Sequence, residues 1–124
     1  IGFRNDDTLV ARSAIEEFTK SHPFNIAGNL LLFELTNAVG RYETAESALK
    51  KAVEFSPTSY VLNARLGRFY RDRARALGSS ELHERAARYY QEAVHLAPTA
   101  ERTVEEYQRF KEDSEWQNSV DTTS

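Results

Sequence analysis

The chain of 124 residues has no cysteine, no methionine, one tryptophan, three prolines and five glycines. Without cysteine there are no disulfides and no thiolate metal sites, so neither an oxidising nor a reducing compartment is selected. No stretch approaches the roughly 18 apolar residues of a membrane span, and no signal peptide is visible at the start. The chain opens on Ile1 without an initiator methionine, so a piece excised from a longer protein is expected, and either cytoplasm or periplasm fits. Alternation of apolar and β-branched residues with polar ones is also missing, which argues against strands.

The charge that is present is unevenly spread. The net charge is −3. Residues 1–59 hold 6 basic and 8 acidic side chains, residues 60–100 hold 7 and 4, and residues 101–124 hold 3 and 7. A basic middle and an acidic end follow, with no overall sign that points to nucleic acid or an anionic membrane. With 40% apolar and 28% charged residues the chain can build a core, and its length suits one domain.

Helical periodicity fills most of the chain. It predicts helices over about 7–20, 26–39, 42–55, 59–76, 80–96 and 100–116. Asp6 or Asp7 and Asn25 are candidate N-caps, the fourth helix starts near Ser59, Gly40 and Gly78 mark tight connections, and Gly40 is a candidate left-handed C-cap. Leu30, Leu31, Leu32 and Phe33 are apolar nearly all round, so the second helix is expected to be covered on more than one side and this run to be core beneath the first helix, the alternative being an exposed apolar patch of Leu30, Leu31 and Phe33 for a partner helix. Val104, Tyr107 and Phe110 form the apolar stripe of the sixth. Residues 117–124 are polar and expected to be disordered, and Trp116 is a candidate docking anchor.

The three prolines reveal a repeat. Pro23 and Pro57 are 34 residues apart. Ala45, Leu49, Ala52 and Pro57 recur with the same steps as Ala86, Tyr90, Ala93 and Pro98. One unit, 26–59, carries Leu32, Gly40, Tyr42, Ala45, Leu49, Ala52 and Pro57; the next, 60–100, carries Leu66, Gly67, Tyr70, Ala86, Tyr90, Ala93 and Pro98. Small residues stand where helices cross closely, large ones fill the space between, and proline stops the second helix of each pair. In length and motif these units resemble tetratricopeptide repeats, over roughly residues 8–112.

The resemblance implies an all-α fold: about six helices in antiparallel pairs, stacked as a short right-handed superhelix. It implies a single domain, with a partial repeat at 1–25, repeats at 26–59 and 60–100, and a capping helix at 101–116. Three departures stand out. Phe33 takes a place that is usually small. Asn29 and Asn63 replace a frequent aromatic. The second unit is longer by 7 residues between equivalent positions. That excess is close to two turns, and the simplest account adds one turn to each helix of the hairpin.

The resemblance also implies function. In this family the first helix of each pair lines a concave surface that binds partners. Here that surface is expected to hold Glu34, Asn37, Arg65, Arg68, Arg71, Arg102 and Arg109. Leu30 and Glu34 stand where the family's clamp for a peptide's terminal carboxylate wants Lys and Asn, so that mode of binding is not expected. The arginine series Arg65, Arg68, Arg71, Arg73, Arg75 suits an acidic peptide, phosphate or carboxylated sugar; its alternative is a solvated face paired with Asp72, Glu34, Glu105 or Glu106. Reversing Arg65 and Arg68 to Glu is expected to abolish partner capture without loss of helicity.

The expected role is a scaffold that binds a protein or peptide. The alternatives are an accessory domain of a larger enzyme, such as a cell-envelope glycan polymerase, ligase or glycosyltransferase, and, less favoured, an RNA or phosphate binder. No cofactor or metal is expected. The spacing of Phe69, Tyr70, Tyr89 and Tyr90 is that of a core. His22, His83 and His95 match no metalloprotease spacing, and no nucleophile elbow or phosphate loop is present, so catalysis is not expected. Each histidine is expected at the surface or at a helix end.

Overall fold

Polar caps and proline turns set the helix boundaries. The computed structural model describes residues 5–113, with side chains from Leu9 onward. Six helices occur among the described residues: α1 (Asn5–Ser21), α2 (Ile26–Ala38), α3 (Tyr42–Phe55), α4 (Tyr60–Leu77), α5 (Ser80–Leu96) and α6 (Glu101–Glu112). None is long and apolar enough to cross a membrane. Asn25, Ser59 and Ser79 cap α2, α4 and α5, each side-chain oxygen accepting a backbone N–H of the first turn, from Gly28, Leu62 and Leu82 at 2.7, 3.3 and 3.2 Å. Asp6 and Asp7 are different: they lie inside α1, not at its cap.

Glycine closes two helices by the same device. Gly40 (φ 80°) follows α2, and its N–H and that of Arg41 donate to Asn37 and Thr36. Gly78 (φ 62°) follows α4, and Ser79 N–H donates to the Ala74 carbonyl. Only a left-handed residue allows this reversal, which turns the chain into the next helix within a few residues. The helices before proline end otherwise. Ser56 and Ala97, each preceding a proline, take nearly equal non-helical conformations (φ −136°, ψ 66° and φ −141°, ψ 73°), outside the α region that the following ring disfavours.

The chain forms two compact units, residues 1–57 and 58–124. In the first, α2 packs on α1 and α3. Leu32, Ala45, Ala48, Leu49 and Ala52 are buried there. Of the apolar run on α2 only Leu32 is fully buried; Leu30 and Phe33 are half-buried and Leu31 is 47% exposed. The run is therefore not core throughout: one helix face meets α1 and α3, and the period of the helix turns Leu31 away from it. In the second unit, α5 packs on α4 and α6. Leu66, Tyr70, Ala74, Ala86, Tyr90, Ala93 and Phe110 are buried. The Cβ that Gly67 lacks would stand 3.1 Å from the Tyr90 ring, which is why glycine serves at this crossing.

The helices of the second hairpin have 18 and 17 residues against 13 and 14 in α2 and α3. The extra length is thus shared by both. α6 ends at Glu112, earlier than the sequence pattern suggests. Trp116 and residues 117–124 lie outside the described residues.

Candidate functional site

Each unit buries an asparagine by one local rule. Asn29 Nδ2 donates to the Asn25 and Pro23 carbonyls at 2.9 and 3.1 Å. Asn63 Nδ2 donates to the Ser59 carbonyl at 2.8 Å. The acceptor is in both cases the N-cap residue of the same helix, so these asparagines tie the first turn of α2 and of α4 to its own cap. They are structural; farther along α4 its polar face carries arginines.

That face meets α6 across a cleft of about 450 Å³, lined by Arg68, Arg71, Arg102, Glu105, Glu106 and Arg109. Four of the expected site residues therefore come together within the second unit. Arg65 is half-buried and is not among the lining residues; Glu34, exposed, and Asn37, half-buried, lie on α2 in the first unit.

The α4 arginines are held by the protein. Arg68 grips Glu106 with two nitrogens, Nε at 3.0 Å and Nη2 at 2.6 Å. Arg71 grips Asp72 at 3.1 and 2.9 Å, and its Nη1 stands 3.7 Å from Glu106. Arg75 pairs with Asp113. Beneath them Tyr90 of α5, wholly buried, donates its O–H to Glu106 at 2.5 Å and accepts from Arg71 at 3.4 Å. Glu106 is thus the hub. Burial alone would raise its carboxyl, but the hydrogen bonds from Arg68 and Tyr90 and the charges of Arg68 and Arg71 hold it below the usual range. Burial and the bond to Glu106 push the Tyr90 hydroxyl far up, so it stays protonated.

The α6 side of the cleft is different. Among the described residues Arg102, Glu105 and Arg109 have no ion-pair partner, and all three are exposed. The cleft thus combines a braced wall, where charge is already neutralised, with an unengaged wall that carries a surplus of positive charge. Such guanidinium groups take carboxylates or phosphates bidentately.

Sequence reasoning counted Tyr90 as core and missed its hydroxyl as the link below the cleft. A tyrosine at a position otherwise held by Leu49 in the preceding repeat was the available signal. His83 lies in the first turn of α5, a helix end, where it is half-buried and stacks on Phe110, centroids 4.5 Å apart. Burial, and then the Arg75 charge, lower its pKa. A second hollow, about 510 Å³, lies among α1, α2 and α3 and mixes Lys20 and Lys51 with Glu43. Among the described residues no three His, Asp or Glu side chains are grouped to hold a metal ion.

The architecture has a solved counterpart. A crystal structure of MamA protein superimposes with a TM-score of 0.71 over 94% of this chain, at 14% sequence identity. The fold is that of tetratricopeptide-like helical repeats. The chain spans 60% of the length of that MamA chain. A second MamA crystal structure aligns over 98% of this chain and 91% of its own, at 17% identity and a TM-score of 0.46. No family model and no curated protein matches the sequence.

Proposed function

We propose that this protein is a noncovalent interaction module that engages acidic side chains of a protein or peptide partner in the cleft between α4 and α6. The observation that carries this reading is the pair Arg102 and Arg109, exposed in the cleft without an ion-pair partner among the described residues. The tetratricopeptide-like fold supports it, because helical hairpins of this kind present extended polar faces to partners.

The braced wall decides which residues test it. Reversing Arg68 would leave Glu106 facing a second carboxylate above the buried Tyr90 and would disturb the unit itself. Arg102 and Arg109 have no such duty. The double variant Arg102→Glu, Arg109→Glu is expected to keep its helical dichroism and to lose affinity for a synthetic peptide rich in Asp and Glu by about tenfold or more, on the order of 1.4 kcal/mol. Affinity for that peptide unchanged by the double reversal, measured by isothermal titration calorimetry, would refute this reading.

A further inference from the structure

The unengaged wall of the cleft has an order as well as a sign. Along α6 it runs Arg102, Glu105, Arg109: positive, negative, positive. Glu106 belongs to the other wall, since Arg68 and Tyr90 hold it. The two arginines are seven positions apart on one helix. At about 1.5 Å per residue their Cα atoms stand about 10.5 Å apart along the axis and close to one face.

A ligand that meets both arginines needs two anions at that separation, aimed the same way. An extended segment advances about 3.3 Å per residue and turns successive side chains to opposite sides. Three steps along it match the distance but put the two side chains on opposite faces. Two or four steps keep one face but miss the distance by about 3 Å or more. A helix lying along α6 satisfies both conditions, because positions i and i+7 have this spacing and nearly share a face. Glu105 stands between the arginines, three positions after Arg102 and four before Arg109. An acidic side chain opposite it would be repelled, and a basic one would be paired.

We infer that the α6 wall selects a helical partner segment with acidic side chains at i and i+7 and a basic side chain at i+3 or i+4. The inference rests on the proposed acidic-partner reading and adds a conformation and a register to it. Charge complementarity sets the pattern: the partner presents negative, positive, negative to positive, negative, positive. The braced α4 wall supplies the opposite rim of the cleft, with the Arg68 and Arg71 guanidinium groups fixed by Glu106 and Asp72.

The test uses the full chain and three synthetic helical peptides of about 20 residues, long enough to hold helix in water with an alanine-rich background. One carries Glu at i and i+7 with Lys at i+4. A second has the same composition with the two Glu residues moved to i and i+5, off the common face. The third swaps the signs, Lys at i and i+7 with Glu at i+4. Fluorescence anisotropy at low salt is expected to show the first bound about tenfold more tightly than either of the others. In the Arg102→Glu, Arg109→Glu variant the preference is expected to pass to the sign-swapped peptide. Equal affinity for the first two peptides would overturn the register while leaving the acidic-partner reading standing. Binding of a flexible Asp/Glu-rich peptide but of none of the helical ones would overturn the helical conformation. Failure of every acidic peptide would remove both readings together.

Discussion

Tyr90 shows how much one side chain can carry. Its ring fills the space above Gly67, stacks on Tyr107 and tilts against Phe110, and its hydroxyl braces Glu106. Tyr90→Phe keeps the ring and removes only the hydroxyl. It is expected to cost about 1.5–3 kcal/mol, the range for a hydrogen bond to a charged group, read by urea denaturation. It is also expected to move the Glu106 carboxyl upward, because one of the donors that hold it down is gone; carbon-detected NMR titration checks this. No movement of that carboxyl would mean that Arg68 and Arg71 set it without the hydroxyl. Gly67 gives the complementary experiment. Alanine there gains helix propensity of about 1 kcal/mol over glycine, yet its Cβ would press on three ring atoms of Tyr90 at 3.1–3.3 Å. Tyr90 is wholly buried and tied by its hydroxyl, so it cannot swing aside. Gly67→Ala is therefore expected to destabilise by about 1–2 kcal/mol, within the range for overpacking. At Gly28 the added Cβ would stand 2.9 Å from the ring of Phe18, but this residue is 39% exposed and, though stacked on His22, can shift toward solvent, so alanine there is expected to cost less than at Gly67.

At the scale of the helix, the ends differ in how well they are closed. Asn25, Ser59 and Ser79 cap three helices, while Ala100 precedes α6 in the extended conformation of a cap (φ −76°, ψ 92°) with no side chain able to accept. Ala100→Ser supplies the missing oxygen and is expected to stabilise by about 0.5–1 kcal/mol, raising the midpoint of thermal unfolding. A melting curve unchanged by this substitution would show that α6 is closed by other means. These ends also explain what the sequence made legible. Asn25, Gly40, Ser59 and Gly78 act locally, through bonds to residues three to five positions away, so local patterns were enough to place them. The equal steps from Ala45 to Pro57 and from Ala86 to Pro98 made the hairpins readable in the same way. Glu106 was harder to place. Its partners, Arg68 on α4 and Tyr90 on α5, are 38 and 16 residues away, and only packing brings them together. The arginine series on α4 is conspicuous in the sequence; its alternative reading, a face paired with Asp72 or Glu106, is what holds Arg71 and Arg68, and the cations that line the cleft without an ion-pair partner among the described residues are the less conspicuous Arg102 and Arg109.

For the molecule as a whole, charge links binding to stability through pH. His83 and Glu106 both lie in the second unit, and both have pKa values lowered by folding. His83 faces Arg75 from α4, Phe110 and Asp113 from the end of α6, and Glu84 from its own helix. Burial outweighs the two carboxylates, so the folded chain takes up this proton less readily than the unfolded one. A lowered value means that the unfolded state binds more protons in acid. The stabilisation is complete above the ordinary values, 6.5 for histidine and 4.5 for glutamate, and is lost as pH falls past each toward the folded value. Unfolding free energy is therefore expected to decline in two stages: first below about pH 6.5 through His83, then below about pH 4.5 through Glu106. His83→Gln removes the first stage, leaving stability flat from about pH 7 to about pH 5. Urea unfolding of the two proteins across this range is the measurement, and an equal slope in both would place the acid sensitivity elsewhere. The second stage reaches the cleft. The Glu106 carboxyl is held below 4.5, so Arg68 stays paired from about pH 7 to about pH 5, while a phosphorylated peptide loses part of its charge across that range. Its affinity for the cleft is therefore expected to weaken as pH falls, and calorimetry showing an affinity that rises would mean that Arg68 is released earlier than this.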